Sequence, residues 1–271
     1  DSVGLSHALA ACEEFSFDGK MVATAHERYE KDPDGGWIWG NSKALSPESM
    51  EALKQAVRDR KSTAFAYSMQ ELPGYCGELG PFRIELDTDK PIVQPRRRYS
   101  PQENKTIAEK TEELVQAGIV VEYNGPTVCA VNPVIAAKKD PETGLWTGAR
   151  MAQDYRPVNA STKHDKYGLH RPEEIFQRVS GAQVFSHLDC RQGFLQIPCH
   201  PDDQPKTAYW CGNKLMMYTR MPYGLKNASA CFQRRVDHEL TRAKLDHCAV
   251  GFIDDVVIWS ANPEDHVRDV A

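Results

Sequence analysis

Two aspartates, Asp254 and Asp255, stand side by side between two apolar runs, residues 249–253 and 256–259. Short runs rich in valine and isoleucine read as strands, and an acidic pair between them reads as the two-residue turn of a hairpin. Aspartate is common in such turns and by itself asks for nothing more. A third acid changes the weighing. Asp189 follows another apolar strand, residues 182–188, and precedes Cys190-Arg191-Gln192-Gly193, a stretch suited to a tight turn. Two unit charges about 4 Å apart repel by ~1 kcal/mol in water and ~4 kcal/mol at an effective dielectric of roughly 20, so three converging carboxylates oppose folding unless a cation offsets them. Carboxylate oxygens with retained waters suit magnesium, and two such ions roughly 3.5–4 Å apart stabilise both the attacking and the leaving oxygen of an in-line phosphoryl transfer. A strand-end acid with an acidic hairpin is what nucleotidyl transfer requires.

Composition narrows the setting. The chain has 271 residues, 41% hydrophobic and 26% charged, which is close to globular averages and excludes global disorder and fibrous repeats. At ~150 residues per domain it reads as about two domains, or as one larger domain with an appendage. No apolar run reaches the ~18 residues of a membrane span, and the first residues show no basic start leading into an apolar stretch. The expected location is intracellular, cytoplasm or nucleus. None of the eight cysteines stands in a Cys-x-x-Cys pair, which argues against a zinc ribbon or a redox motif. Cys190, Cys199 and His200 lack zinc-ligand spacing, and His238 and His247 read as surface residues. The net charge of −5 is uneven: residues 1–90 hold 16 acidic and 10 basic residues, whereas 91–163 hold 8 and 10. A nucleic-acid footprint is therefore expected in the later two-thirds.

Along the chain, residues 1–45 show no sustained period and read as a loosely ordered leader. Ser46-Pro47-Glu48 opens a helix ending near Ser62. Ser100-Pro101-Gln102-Glu103 is a capping box, and Gly118 stops that helix with Leu114 and Ile119 at the apolar positions of a Schellman ending. Residues 119–123 follow as a strand, and 130–159 form a hairpin whose basic tip holds Lys138, Lys139 and Arg150. Strands are expected at 206–210 and 214–221 around Cys211-Gly212-Asn213. Asn227 caps a long helix carrying Phe232, Val236 and Leu240, and Asn262-Pro263-Glu264 starts a last one.

Six ordered blocks carry a family resemblance: RRRYSPQENKTIAEKTEELVQAGIV (96–120), NPVIAAKKDPETGLW (132–146), ARMAQDYRPVN (149–159), VFSHLDCRQGFLQIPCHPDDQPKTAY (184–209), MPYGLKNASACFQ (221–233) and FIDDVVIWS (252–260). Over roughly residues 50–271 the chain resembles the reverse transcriptases of gypsy-type LTR retrotransposons. The resemblance implies an α+β right-hand polymerase, with fingers at 91–180 and a palm at 181–271 built on a ferredoxin-like antiparallel sheet with packed helices. Residues 46–90 supply an N-terminal helix and extended segment. An end so soon after the hairpin implies truncation before a thumb and an RNase H domain.

The same resemblance implies roles. Asp189, Asp254 and Asp255 bind Mg2+, with Mn2+ as a substitute, and catalyse. The backbone around Cys190 and Arg191 holds the triphosphate, and Arg150 clamps it with Lys138 and Lys139, a guanidinium fork gripping phosphate at two points. Phe194 stands at the steric-gate position that rejects a ribose 2′-hydroxyl. Tyr223 floors the nucleotide pocket, where phenylalanine is more usual. Phe252, where tyrosine is more usual, lies near the primer end. Apart from the resemblance, the basic run at Arg96 and Arg97 reads either as a solvated edge, the usual case for three basic residues, or as a contact to the nucleic-acid backbone. Arg156 and Asn159 orient the fingers through hydrogen bonds. The partners implied are an RNA or DNA template with its primer, deoxynucleoside triphosphates and other protein subunits, with no membrane. A competing reading is a catalytically inactive retrotransposon-derived fragment serving as a structural or interaction subunit, which the acidic leader and early end favour. RNA-dependent RNA synthesis conflicts with Phe194.

Overall fold

The computed structural model describes residues 29–31, 38–40, 44–139 and 146–271. Its strands are β1 (Tyr29–Lys31), β2 (Ile38–Gly40), β3 (Ile92–Val93), β4 (Val120–Glu122), β5 (Cys129–Ala130), β6 (Pro133–Lys139), β7 (Trp146–Gln153), β8 (Val184–Asp189), β9 (Tyr209–Cys211), β10 (Lys214–Tyr218), β11 (Ala249–Phe252) and β12 (Asp255–Ser260). Its helices are α1 (Pro47–Asp59), α2 (Lys61–Ala64), α3 (Pro101–Gln116), α4 (Arg156–Ala160), α5 (Pro172–Arg178), α6 (Gly193–Gln196), α7 (Ala228–Arg242) and α8 (His266–Val270). The chain forms two compact units, one from residues up to 65 with 170–190 and 237–271, the other from 66–169 with 191–236.

The first unit is built on the antiparallel sheet β11-β12-β8. Because side chains alternate along a strand, each face has its own core. Val257 and Trp259 of β12 meet Val250 of β11 and Ile175 and Val179 at α5. On the other face Val184 packs with Leu53 and Met50 of α1, Leu45, and Val267 and Val270 of α8. Trp39, within the segment expected to be loosely ordered, joins this second core, and β1 pairs with β2. Ser46 caps α1 by accepting from the Ser49 N–H at 3.1 Å.

The second unit holds α3, the sheet β4-β10-β9, the parallel pair β3–β5 and the β6–β7 hairpin. Its helix start follows the local code closely. The Ser100 hydroxyl accepts from the Glu103 N–H at 3.2 Å, while Glu103 accepts from the Ser100 N–H at 2.8 Å. At the other end Gly118 adopts φ 67°, and the Ile119 N–H reaches the Leu114 carbonyl at 2.9 Å, closing the Schellman ring.

Two local expectations need correction. Residues 206–208 are not strand: Pro201–Thr207 is a 3-10 turn, and pairing starts at Tyr209. Two prolines remove N–H donors there, and buried Asp203 draws in Lys206 at 2.6 Å and the Ile84 N–H at 3.1 Å. Asn227 does not cap α7 with its side chain. Its amide instead receives the Asp165 N–H at 3.1 Å and donates to the Lys163 carbonyl at 2.8 Å.

Candidate active site

All three acids lie in the first unit, around one end of its sheet. Asp189, the last residue of β8, is directly opposite Asp255, the first residue of β12. The turn is displaced by one residue from the sequence reading: Phe252 pairs with Asp255, so Ile253 and Asp254 make the turn. The displacement has a physical consequence. Directly opposed residues on an antiparallel pair share a face with Cβ atoms about 4.5–5.5 Å apart, so Asp255 as a strand residue joins Asp189 on one face. Ile253 sits at φ 55°, a left-handed conformation that costs a side-chain-bearing residue on the order of 1–2 kcal/mol. The Cys190 N–H donates to the Asp254 carbonyl at 2.7 Å, holding the turn against the end of β8.

The electrostatics are unbalanced. Asp254 Oδ1 is buried without a hydrogen-bond partner. Burial, then the neighbouring Asp189 and Asp255, push its carboxyl up to about 6. The Cys190 thiol is pushed up to about 12, first by burial and then by the same three acids, which leaves it protonated and unreactive. Asp255 is buried, and its Oδ1 lies 2.7 Å from His187 Nε2. An all-oxygen donor set with one orphaned buried oxygen fits a hard divalent cation.

His187 escaped the sequence reading although a signal was present. Residues two apart on a strand share a face, so 187 and 189 point the same way once 184–189 is recognised as β8.

The residues expected to handle nucleotide lie largely in the second unit. Phe194 and Tyr223 stack there with centroids 5.1 Å apart, and Phe232 is 5.6 Å from Phe194. The Tyr223 hydroxyl meets Gln192 Oε1 at 3.2 Å. Asn159 fixes the loop after Tyr223, donating to the Gly224 carbonyl and accepting from the Lys226 N–H, both at 2.8 Å. Arg156 grips Asp154 through two bonds of 2.7 Å, and that grip lowers the Asp154 carboxyl to about 2. Arg150 on β7 and Arg191 are exposed. The side chains of Lys138 and Lys139 lie outside the described residues. Arg96 stacks 4.1 Å over Trp210 and donates to Asn213 at 3.0 Å, and Arg97 lies 5.7 Å from the Tyr99 ring.

A separate convergence, His247, Cys248 and Asp269, brings one candidate ligand atom from each within 4.8 Å. Its Asp269 carboxylate is already engaged by Ser260 and Arg268, and burial pushes the Cys248 thiol up, so it offers no open donor set. Among the described residues no helix is long and apolar enough to cross a membrane.

Comparison with known proteins bears on the family and the fold. Residues 137–271 match the family described as reverse transcriptase (RNA-dependent DNA polymerase). The chain is 30% identical over 185 residues to the enzymatic polyprotein of cauliflower mosaic virus (strain NY8153), which covers 68% of this chain and 26% of the polyprotein. It is also 30% identical over 164 residues to the Pol polyprotein from transposon 297 of Drosophila melanogaster, covering 60% of this chain and 15% of that protein. This chain thus spans about a quarter or less of the length of these relatives. Among solved structures, the foamy viral protease-reverse transcriptase dRH in complex with double-stranded DNA superposes with TM-score 0.70 at 21% identity, over 85% of this chain and 38% of that one. The foamy viral enzyme in complex with RNA/DNA hybrid gives TM-score 0.69 at 20% identity, over 84% and 29%. The fold is accordingly the α+β polymerase fold of those enzymes, and the stretch 137–271 is similar to the reverse transcriptase family.

Proposed function

We propose that the chain is the fingers and palm part of an RNA-directed DNA polymerase of the gypsy-type lineage, adding deoxynucleotides to a primer 3′-hydroxyl on an RNA or DNA template. One observation carries the proposal: Asp189 and Asp255 face each other across the β8–β12 ladder while Asp254, in the turn beside them, holds a buried oxygen with no partner. Asp189, Asp254 and Asp255 would hold Mg2+ or Mn2+. Two such ions, when bound, stabilise the attacking and leaving oxygens of the transfer.

The rest falls to the chain's own groups. Arg150, Arg191, Lys138 and Lys139 neutralise the triphosphate, arginine by its planar fork. The Phe194–Tyr223 stack offers an aromatic wall to the sugar and base, and the Phe194 ring excludes a 2′-hydroxyl, selecting deoxynucleotides. Arg96 and Arg97 contact the nucleic-acid backbone, with Phe252 near the primer end. The Cys190 N–H already serves the turn, so the triphosphate draws on the amides that follow it. Support for a nucleic-acid occupant comes from the foamy viral neighbours, which were solved with double-stranded DNA and with RNA/DNA hybrid.

The test is primer extension on poly(rA)–oligo(dT) by wild type and Asp254→Asn, in magnesium and in manganese. Extension by wild type alone is the expected result. Extension by neither would turn the assignment toward the non-catalytic subunit, and equal extension by both would remove Asp254 from the chemistry.

A further inference from the structure

Resting on the reading of Asp189, Asp254 and Asp255 as cation ligands, we infer that His187 is a positioning residue for that site, holding the Asp255 carboxylate in the orientation a divalent cation requires. A carboxylate turns broadly about its last torsion, and an ionised one accepts hydrogen bonds only. His187 Nε2 therefore donates to Asp255 Oδ1, and at 2.7 Å the bond is at the short end of the N–H···O range. It fixes one oxygen and leaves Oδ2 for a cation.

The placement follows from the strands. His187 is directly opposite Val257, and Asp255 directly opposite Asp189, so the imidazole and the Asp255 carboxylate are diagonal neighbours on one face, within reach of long side chains. On the other flank Asp255 pairs with Phe252, whose ring offers no donor. The side chains of Asp255 and His187 are 8% and 32% exposed, so the imidazole partly shields the bond from competing water. Groups that hydrogen-bond a ligating carboxylate orient it, and their loss typically costs about 10–100-fold in metal affinity or activity.

The test is Mn2+ binding to the whole chain, read as loss of the free-ion electron paramagnetic resonance signal, for wild type, His187→Val, His187→Gln and Asp189→Asn. The melting temperature of each in EDTA reports folding separately. Valine keeps strand propensity without a donor, while the glutamine amide nitrogen reaches close to the position of Nε2. The expected result is Mn2+ affinity reduced about tenfold or more by His187→Val and largely restored by His187→Gln. The apparent Mg2+ requirement for primer extension should shift in parallel, with little change at saturating Mg2+. Affinity within twofold of wild type in His187→Val overturns the inference, and so does equal loss in the Val and Gln variants. If His187→Val does not fold, His187→Asn, whose amide is too short to reach, replaces it against His187→Gln. A wild type that binds Mn2+ no better than Asp189→Asn sinks the reading of the acids themselves and takes His187 with it. That failure appears in the Asp189 control, not in the His187 series.

Discussion

On one face of the β11-β12-β8 sheet lies His266, with Ser186, Ser260 and Asp269. On the other lie Asp189 and Asp255, with Asp254 in the adjoining turn. His266 is fully buried, with Nε2 2.9 Å from the Ser186 hydroxyl and Nδ1 2.8 Å from the Ser260 hydroxyl, which in turn donates to Asp269 at 2.7 Å. That last bond fixes the rest. Since Ser260 gives its proton to Asp269, its oxygen accepts from Nδ1–H, and the unprotonated Nε2 of the neutral ring accepts from Ser186. Every member is satisfied within the protein. Across the sheet, Asp254 keeps an orphaned oxygen and a carboxyl pushed up to about 6. A buried polar group that serves the fold is paired; the unpaired Asp254 oxygen next to two other acids is instead the feature on which the proposed cation site rests.

The largest expected effect separates the two faces outright. Asp254→Asn should cut primer extension by at least ~10²-fold, the scale of losing one preorganised charge at a transferring group. The same change should raise resistance to urea in EDTA, because it removes a charge that burial and two neighbours disfavour. Activity and stability falling together would break the comparison.

His266→Ala should do the reverse. It takes the acceptor from the Ser186 hydroxyl and the Nδ1–H donor from Ser260, which keeps its bond to Asp269, at about 1–3 kcal/mol for a lost buried partner, and opens a cavity besides, for a total loss of ~2–4 kcal/mol. Extension per folded molecule should persist at temperatures where the variant remains folded. The pH dependence has opposite signs on the two faces. Burial lowers the folded-state pKa of His266, so the unfolded chain binds more protons and stability falls as pH drops below the usual histidine value near ~6.5. Asp254 is raised, so the folded chain binds more protons and stability climbs as pH falls from about 6 toward the unfolded carboxylate value near ~3.9. Without divalent cation, Asp254→Asn should therefore lose more stability between pH 7 and pH 5 than wild type, measured by urea midpoints. An equal slope would mean that Asp254 does not titrate in that window.

Much of this was legible from local signals. The α3 capping box and its glycine ending involve residues within a few positions of one another, and they appear as read. The three acids were legible because two are adjacent and the third ends a strand. The hairpin register was not: whether Asp255 is turn or strand depends on pairing with Phe252 and Asp189, which no local rule specifies. His187 with Asp255 and Ser186 with His266 are joined across 68 and 80 positions, and residue type alone names neither partner. Asn227 shows the limit from the other side. It is a sound capping residue by type, yet its side chain goes to residues 163–165, a segment whose backbone groups needed partners.

A smaller effect comes from cation alone. A ligand that binds only the folded chain stabilises it by mass action, so Mg2+ at about ten times its dissociation constant should add ~1.4 kcal/mol. The gain should vanish in Asp254→Asn and survive in a His266 variant.

The smallest effect compares two strained turns. Ile253 and Lys244 both hold positive φ, 55° and 59°, but only Ile253 carries a turn of the acid site. Lys244 lies two residues past the end of α7, where the Leu245 N–H returns to the Leu240 carbonyl at 2.9 Å, a position that glycine favours. Lys244→Gly should stabilise the chain by up to ~1 kcal/mol and leave Mn2+ affinity unchanged, since it relieves a left-handed conformation at a helix end. Ile253→Gly relieves the same kind of strain but frees the turn that aims Asp254. Its stability gain should be no larger, and its Mn2+ affinity should fall severalfold. Strain at a functional turn persists because the surrounding structure over-determines it. If Ile253→Gly bound Mn2+ as tightly as wild type, the isoleucine would be a tolerated misfit and the turn would owe none of its aim to that strain.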